Sequence, residues 1–141
     1  MQFNHIGIFV KNINLGIREI KKVIQIKKKS KIIKDKNLKV KIIFLYDEKK
    51  LCYELIEPYG KKNPVSNTLK KNINILNHLA YEASNFDSDV SKLINSGFRP
   101  ITKAIKAKAF SGRRVIFLIN KLNFITEIIE KKWKKEKNHL M

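Results

Sequence analysis

Residues 3–10 read FNHIGIFV, a stretch in which apolar, β-prone residues follow one another almost without interruption. Such a run is typical of a strand that is covered on both faces. Because side chains alternate along a strand, His5, Gly7 and Phe9 point to the same face. A polar imidazole therefore lies in apolar surroundings, and Gly7 leaves room beside it.

The same stretch recurs 73 positions later, each time with a partner carboxylate. His5 precedes Glu54 by 49 residues, and His78 precedes Glu127 by the same separation. The other matched pairs are Asn4 with Asn77, IIFL at 42–45 with VIFL at 115–118, and ELIE at 54–57 with EIIE at 127–130. One structural module has been used twice.

The first module, at residues 3–58, is predicted to contain one helix and four strands. Apolar residues recur at helical spacing from Ile13 to Ile24, and Asn12 or Asn14 can cap this helix. The strands after the helix are expected near 31–34, at 39–46 and at 51–57. The order of elements is β-α-β-β-β.

The second module, at residues 75–130, repeats this order. Its helix is expected to begin at a cap formed by Asp87 or Ser88 and to end at Gly97. The expected later elements are a strand at 98–102, a basic loop at 103–112, and a hairpin of 113–119 with 124–130. A linker at 59–74, in which Ser66 could cap a short helical turn, and a basic tail at 131–141 complete the chain. We predict a single α+β domain over residues 1–141.

The formal net charge of +19 comes mainly from lysine, because only 4 of the 31 basic residues are arginine. Lysine is spread along the surface stretches without interleaved aromatic residues, which predicts a solvated surface and no specific nucleic-acid partner. An anionic substrate would still gain from this field. The N-terminus lacks a leader pattern, and no apolar run approaches the roughly 18 residues of a spanning helix. We expect a cytoplasmic protein with no membrane partner, in which Cys52 is a buried thiol.

His5, Glu54, His78 and Glu127 together form a donor set that suits a metal ion. An ionised carboxylate in apolar surroundings is costly unless a cation compensates it. Two neutral imidazoles and two carboxylates suit divalent Zn, Co, Ni, Mn or Fe, and six-coordinate geometry leaves two positions for water or substrate. The alternative for each residue alone is an ordinary structural histidine or strand glutamate, and the repeated spacing argues against it.

Several other charged residues are candidates for substrate contacts. Glu82 shares a strand face with His78 and could lie beside the pocket. Arg113 and Arg114 begin a strand, and a guanidinium fork suits a carboxylate or phosphate, so at least one could bind an anionic substrate group. The alternative is an exposed pair at a strand start. Glu57 and Glu130 alternate with the proposed ligands and are expected at the surface.

Four segments resemble the vicinal oxygen chelate superfamily, which includes glyoxalase I, methylmalonyl-CoA epimerase and the bleomycin resistance proteins. The resemblance spans residues 3–130 and is strongest to the epimerase-like or glyoxalase-like branch. The segments are FNHIGI at 3–8, YELIEP at 53–58, NHLAYE at 77–82 and GRRVIFL at 112–118. The resemblance implies paired βαβββ modules, a curled mixed sheet around a central metal-binding cup, and a homodimer. It also implies that His5, Glu54, His78 and Glu127 are the ligands.

For an epimerase, the resemblance implies proton exchange at the carbon α to a thioester through a metal-stabilised enolate. Glu127 is then the first candidate for the carboxylate that carries the proton, with Glu54 as the second. Epimerases of this branch tend to have a glutamate shortly before the third strand of the first module. The aligned place here is near Asn37, and the nearest carboxylate is Asp35.

The sequence therefore supports three hypotheses. The first is a metal-dependent isomerase or epimerase that acts on a small acid or an acyl-CoA thioester, with a glyoxalase I-type lyase as its variant. The second is a non-catalytic module that binds a small molecule, as resistance proteins do. The third, nucleic-acid binding driven by charge alone, has no aromatic platform to support it.

Overall fold

The computed structural model describes residues 1–60 and 76–132. The first module contains β1 (Gln2–Phe9), α1 (Ile13–Lys21), β2 (Lys28–Lys29), β3 (Ile33–Asp35), β4 (Val40–Tyr46) and β5 (Cys52–Pro58). The second contains β6 (Leu76–Ala83), α2 (Phe86–Asn95), β7 (Arg99–Pro100), β8 (Ile105–Lys106), a 3-10 helix (Lys108–Phe110), β9 (Arg114–Ile119) and β10 (Ile125–Glu130). The predicted α+β class and the repeated order of elements are confirmed.

All ten strands form one curled, mixed sheet, in the order β2-β4-β5-β1-β6-β10-β9-β7, with β3 paired to β4 and β8 paired to β9. The first strands of the two modules, β1 and β6, are antiparallel neighbours at its centre. Each lies parallel to the last strand of its own module, β5 and β10 respectively. The two halves of the sheet are therefore related by a pseudo-twofold axis between β1 and β6.

The two helices cover one face of the sheet. Ile13 of α1 packs on Ile43, Leu45 and Leu55. In the second module the equivalent cluster contains Phe86 and Val90 of α2 with Ile116, Leu118 and Ile128 of the strands. Burial of these side chains stabilises each half, because the free energy scales with the apolar area removed from water. The opposite face is left to line a cavity.

An asparagine occupies the N-cap position of each helix, but only the one before α1 makes a side-chain capping bond. Asn12 caps α1, where its Oδ1 accepts a hydrogen bond of 2.7 Å from the backbone N–H of Leu15, so one of the two predicted caps is confirmed. The prediction for α2 was wrong, because Asn85 occupies the cap position and Asp87 lies in the first turn. Gly97 follows the end of α2 with φ of 112°, a backbone conformation that favours glycine.

Three short elements were not expected from the sequence. Helix α1 ends at Lys21, and Lys28–Lys29 pairs with β4 as a strand instead of extending the helix. The predicted loop at 103–112 contains β8 and the 3-10 helix. Most of the predicted linker, including the Ser66 cap, and the end of the basic tail lie outside the described residues. Within the described part, no helix is long and apolar enough to cross a membrane.

Candidate metal centre

Two rows of side chains cross the centre of the sheet, and the first joins Glu54, Gly7 and His78. Gly7 of β1 is the register partner of Glu54 on β5 and of His78 on β6. A Cβ atom at Gly7 would overlap the imidazole of His78. The room beside Gly7 is therefore filled by a histidine from the neighbouring strand.

The second row joins His5, Ala80 and Glu127. Ala80 of β6 is the register partner of His5 on β1 and of Glu127 on β10. The two rows are related by the repeat, and each has its small residue between a histidine and a glutamate. All four predicted ligands are buried, with His5 0 % exposed and Glu54, the most exposed of them, at 4 %.

The side-chain ends of the four residues converge on one point. The Nε2 atoms of His5 and His78 are 3.1 Å apart. Glu127 Oε2 lies 3.2 Å from His5 Nε2 and 2.9 Å from His78 Nε2. Glu54 lies 3.3 Å from His5 Nε2 through Oε2 and 3.8 Å from His78 Nε2 through Oε1. The quartet predicted from the sequence repeat is brought together in space.

Each imidazole is held from behind by the asparagine that precedes it in the chain. Asn4 Oδ1 lies 2.7 Å from His5 Nδ1, and Asn77 Oδ1 lies 2.8 Å from His78 Nδ1. An amide oxygen can only accept, so each Nδ1 carries the hydrogen and donates it. Both Nε2 atoms then present lone pairs to the centre.

Aromatic side chains fix the planes of the two imidazoles. Phe110 stacks on His5, with ring centroids 5.7 Å apart and an interplanar angle of 14°. Phe44 meets His5 edge-on, and Phe117 meets His78 in the same way at 5.2 Å. These contacts leave each ring little freedom to turn away from the centre.

The centre fits a divalent cation. Donor atoms that bind one ion at about 2.1 Å lie at most about 4.2 Å apart, and every distance measured between the imidazoles and the carboxylates satisfies this limit. His5, Glu54 and His78 place three ligand atoms within 4.8 Å of one another, a set that does not include Glu127. Glu127 Oε2 is buried without a hydrogen bond of acceptable geometry, although both imidazoles are near. Two lone pairs and two carboxylates facing one point need a positive charge there.

The charges of the centre are strongly coupled. Burial alone would raise the pKa of Glu127, but the close imidazoles of His5 and His78 outweigh burial and lower this pKa to about 2. Burial raises the pKa of Glu54, and the neighbouring Glu127 adds to this effect. Burial would lower the pKa of His5, but Glu127 and Glu54 raise it above its ordinary value. Positive charge is therefore favoured at the middle of the quartet.

A cavity of about 350 Å³ opens on the face of the sheet that carries the quartet. Glu54, His78 and Glu127 form part of its wall. The remaining wall is mostly apolar, with Phe9, Leu38, Val40, Ile42, Ile56, Ile101, Ala107, Ala109, Phe110, Val115, Phe117 and Ile125. Such a site, apolar with a few convergent polar groups, is typical of a small-molecule pocket.

Asp35 is a further carboxylate in the cavity wall and is only 2 % exposed. Its Oδ1 accepts hydrogen bonds from the backbone N–H groups of Asn37 and Leu38, at 2.9 and 3.0 Å. Its Oδ2 lies 3.4 Å from the backbone N–H of Lys108 in the other module. Asp35 therefore holds the turn before β4 and ties it to the 3-10 helix.

The other predicted site residues lie outside the lining of this cavity. Arg114 forms ion pairs with Asp87 and Glu130, at 3.0 and 2.7 Å. Hydrogen bonds from Arg114 lower the pKa of both carboxyls. Arg113 contacts Glu82 at 3.4 Å. Both arginines therefore have carboxylate partners within the chain, and their assignment to substrate stays a prediction.

Glu57 and Glu130 point away from the centre, as expected. Glu57 is not a free surface group, however, because its Oε1 accepts a 2.9 Å hydrogen bond from the backbone N–H of Ile13 at the start of α1. Sequence reasoning assigned no role to Asn4, Asn77 or Phe110. The matched pair Asn4 and Asn77 was visible in the repeat and was the signal that could have found two of them.

Comparison with known proteins identifies the family. The sequence profile of the Glyoxalase/Bleomycin resistance protein/Dioxygenase superfamily matches residues 4–117. The chain belongs to this superfamily. No curated protein sequence matches the chain significantly.

Solved structures with the same fold include several epimerases. A hypothetical protein from Bacillus halodurans C-125 superposes with a TM-score of 0.77 at 21 % identity, covering 96 % of this chain and 97 % of that one. A variant of Streptomyces coelicolor methylmalonyl-CoA epimerase in complex with 2-nitronate-propionyl-CoA gives 0.71 at 18 % identity, covering 94 % and 99 %. Methylmalonyl-CoA epimerase from Mycobacterium tuberculosis gives 0.73 at 16 % identity, covering 94 % and 89 %. At these identities the likeness is one of fold.

Proposed function

We propose that this chain is a metal-dependent isomerase of the epimerase type, which acts on a small carboxylic acid or an acyl-CoA thioester. The observation that carries this proposal is the position of the quartet. Two imidazoles and two carboxylates converge at a buried point, and three of the four residues form part of the wall of an apolar cavity. A substrate in the cavity would reach the centre with its reacting carbon shielded from water.

The ligands would be Nε2 of His5 and His78 and the carboxylates of Glu54 and Glu127. A divalent cation bound there supplies a Lewis acid that polarises a substrate carbonyl oxygen and acidifies the adjacent C–H bond. Epimerisation then requires one group to remove the proton from one face of the carbon and another to return a proton to the other face. Glu54 and Glu127 enter from β5 and β10, on opposite sides of the histidine strands. This placement supports one proton carrier on each face.

The epimerases that share this fold support an acyl-CoA substrate. One of them binds 2-nitronate-propionyl-CoA, and another is in complex with methylmalonyl-CoA. The net charge of +19 would favour the approach of a polyanionic ligand of this kind. The homodimer implied by the resemblance stays a prediction, and so does the cytoplasmic location expected from the absence of a leader pattern.

A non-catalytic binding module is the second candidate, and the apolar wall of the cavity favours it. Apolar surface contributes to affinity without requiring chemistry. In this case a small molecule would bind in the cavity whether or not the metal is present, and no product would form.

The first test measures metal content and proton exchange together. Protein purified without a chelator or a His tag is analysed by inductively coupled plasma mass spectrometry beside the double variant His5→Ala, His78→Ala. Both proteins are then incubated with methylmalonyl-CoA in D2O, after reloading with Zn, Co, Ni, Mn or Fe. We expect near-stoichiometric metal in the parent alone and deuterium incorporation at the α-carbon. Circular dichroism checks that the double variant is folded.

The possible outcomes separate the candidates. A parent that takes up none of the five metals after reloading refutes the metal-dependent proposal. A parent that binds metal and methylmalonyl-CoA but incorporates no deuterium favours the binding module. Metal uptake that is equal in the folded double variant would show that the quartet is not the metal site.

A further inference from the structure

A continuous set of polar contacts extends from the back of His5 through Asn4 and Glu82 to Arg113. Behind the imidazole, Asn4 Oδ1 lies 2.7 Å from His5 Nδ1. The Nδ2 group of Asn4 donates to Glu82 Oε1 at 3.0 Å. Arg113 Nη1 donates to the same Glu82 oxygen at 3.4 Å. Asn4 of β1, Glu82 of β6 and Arg113, directly before β9, are thus linked to His5, one of the proposed metal ligands.

The direction of each hydrogen bond in this set follows from its chemistry. An ionised carboxylate only accepts, so the Asn4 group that faces Glu82 must be the NH2. The Asn4 oxygen therefore faces His5, where it can only accept. His5 Nδ1 must carry the hydrogen, which leaves the Nε2 lone pair directed at the centre. Glu82 thus contacts the amide that faces His5 without touching the imidazole itself.

Arg113 also acts on His5 through a second set of contacts, which passes through Phe110. Its Nε donates to the backbone oxygen of Phe110 at 3.1 Å, and its guanidinium lies 5.6 Å from the centroid of the Phe110 ring. That ring stacks on His5. Arg113 and Glu82 are about one-fifth exposed at their side chains, so their charges are partly shielded from solvent. Arg113 thus restrains both the hydrogen bond behind His5 and, through Phe110, the plane of the His5 imidazole.

The arrangement is one-sided, although the ligand set is symmetric. Asn77 contacts His78 Nδ1 just as Asn4 contacts His5. The position that the repeat makes equivalent to Glu82 is Phe9, whose ring cannot accept a hydrogen bond from an amide. Within residues 1–60 and 76–132, the carboxylate behind the asparagine is therefore present only on the His5 side.

We propose that Asn4, Glu82 and Arg113 form a positioning chain that holds His5 in the Nδ1–H tautomer and sets the metal affinity of the centre. This inference deepens the proposed function, because it rests on His5 as a metal ligand. The sequence suggested Glu82 and Arg113 as substrate contacts. In this proposal they orient the imidazole of His5 instead. Groups that orient metal ligands typically change metal affinity by about 10- to 100-fold.

The test uses two readouts on the same variants. Competition with a chromophoric chelator gives the Zn2+ affinity, and long-range 1H–15N NMR of the metal-free protein at alkaline pH gives the tautomer of each histidine. In the parent we expect His5 as the Nδ1–H tautomer. In Asn4→Ala we expect a mixture of tautomers and an affinity lower by about 10- to 100-fold. Glu82→Ala should change the His5 nitrogen signals while those of His78 stay unchanged.

Two further variants separate positioning from general loss of structure. The double variant Asn4→Asp, Glu82→Gln exchanges the amide and the carboxylate, so an acceptor still faces His5 Nδ1. We expect it to recover the Nδ1–H tautomer and most of the affinity. Asn12→Ala removes an asparagine that caps α1 without contacting the centre. It should lower the midpoint of urea unfolding and leave the affinity unchanged.

The results distinguish this inference from the proposed function. If the parent binds no metal, the proposed function fails, while the NMR comparison still tests the tautomer. If the parent binds Zn2+ and Asn4→Ala binds it equally well with the His5 tautomer unchanged, the positioning chain is refuted. An equal loss of affinity in Asn4→Ala and Asn12→Ala would also overturn it.

Discussion

Replacing Gly7 with alanine places a methyl group where the imidazole of His78 lies. Gly7 sits between Glu54 and His78 in the first row across the sheet. The ring atoms of His78 lie so close to this position that a Cβ atom cannot be added without displacing them. The perturbation therefore acts on a ligand, although Gly7 itself contributes no ligand atom.

The size of the effect follows from contact distances. Carbon atoms pack at about 3.5–4.0 Å, so His78 must move by more than about 1 Å to accept the methyl group. Metal ligands tolerate deviations of only about 0.2 Å. We expect Gly7→Ala to lower the Zn2+ affinity by at least about 100-fold, which corresponds to about 2.8 kcal/mol. Overpacking should also destabilise the metal-free fold by about 1–3 kcal/mol.

The internal repeat supplies a matched control, because Ala80 occupies the place of Gly7 in the second row. Ala80→Gly removes a methyl group beside His5 and should cost about 0.5–1 kcal/mol of stability while it leaves the Zn2+ affinity nearly unchanged. Affinities are measured by chelator competition and stabilities by urea unfolding. A Gly7→Ala protein that binds Zn2+ as tightly as the parent would falsify the packing argument. It would mean that His78 can adjust beside an alanine as His5 does beside Ala80.

Two further predictions concern the rest of the fold. Burial raises the pKa of the Cys52 thiol from 9.0 to about 11, so Ellman's reagent at pH 8 should react with the single cysteine only after denaturant is added. Because the pKa of the Cys52 thiol is higher in the folded than in the unfolded protein, this group favours the folded state below about pH 9 and loses that contribution as the pH rises through 11. Rapid reaction of the native protein with Ellman's reagent at pH 8 would contradict the predicted protection of Cys52. Leu118→Ala, at a 0 % exposed position under α2, should destabilise the protein by about 2–5 kcal/mol in urea unfolding. Leu122→Ala, at a 73 % exposed position, should change stability by less than about 0.5 kcal/mol, and equal effects of the two would argue against this core.

The quartet was predictable because its signal is a repeat. His5, Glu54, His78 and Glu127 are polar residues in apolar strands at equal separations, and a pseudo-twofold fold must bring such pairs to one axis. Strand alternation also placed Gly7 on the face of His5 correctly. The identity of its neighbour required the register of β1 against β6, which joins segments far apart in the chain and has no local sequence signal.

The residues around the quartet were harder to assign because their contacts also depend on strand pairing. Arg113, Arg114 and Glu82 were interpreted from residue type and position along a strand, whereas their partners are decided by which strands meet. The start of α2 was misplaced because the buried ring of Phe86 begins the helix one residue before the expected acidic cap. Strands of two residues, such as Lys28–Lys29, form only because β4 pairs with them. Tertiary pairing overrides local preference at these positions.

The outer strands of the sheet, β2, β3, β7 and β8, have only two or three residues each. An open sheet presents unpaired N–H and C=O groups at its edges, where another chain can add a strand and start aggregation. Here one edge carries Lys28–Lys29 beside β3, and the other carries Arg99–Pro100 beside β8. The cations repel a second copy, and proline offers no N–H for pairing. Cations and a proline at these edges disfavour strand addition by another chain, which is a use of the basic surface that involves no ligand.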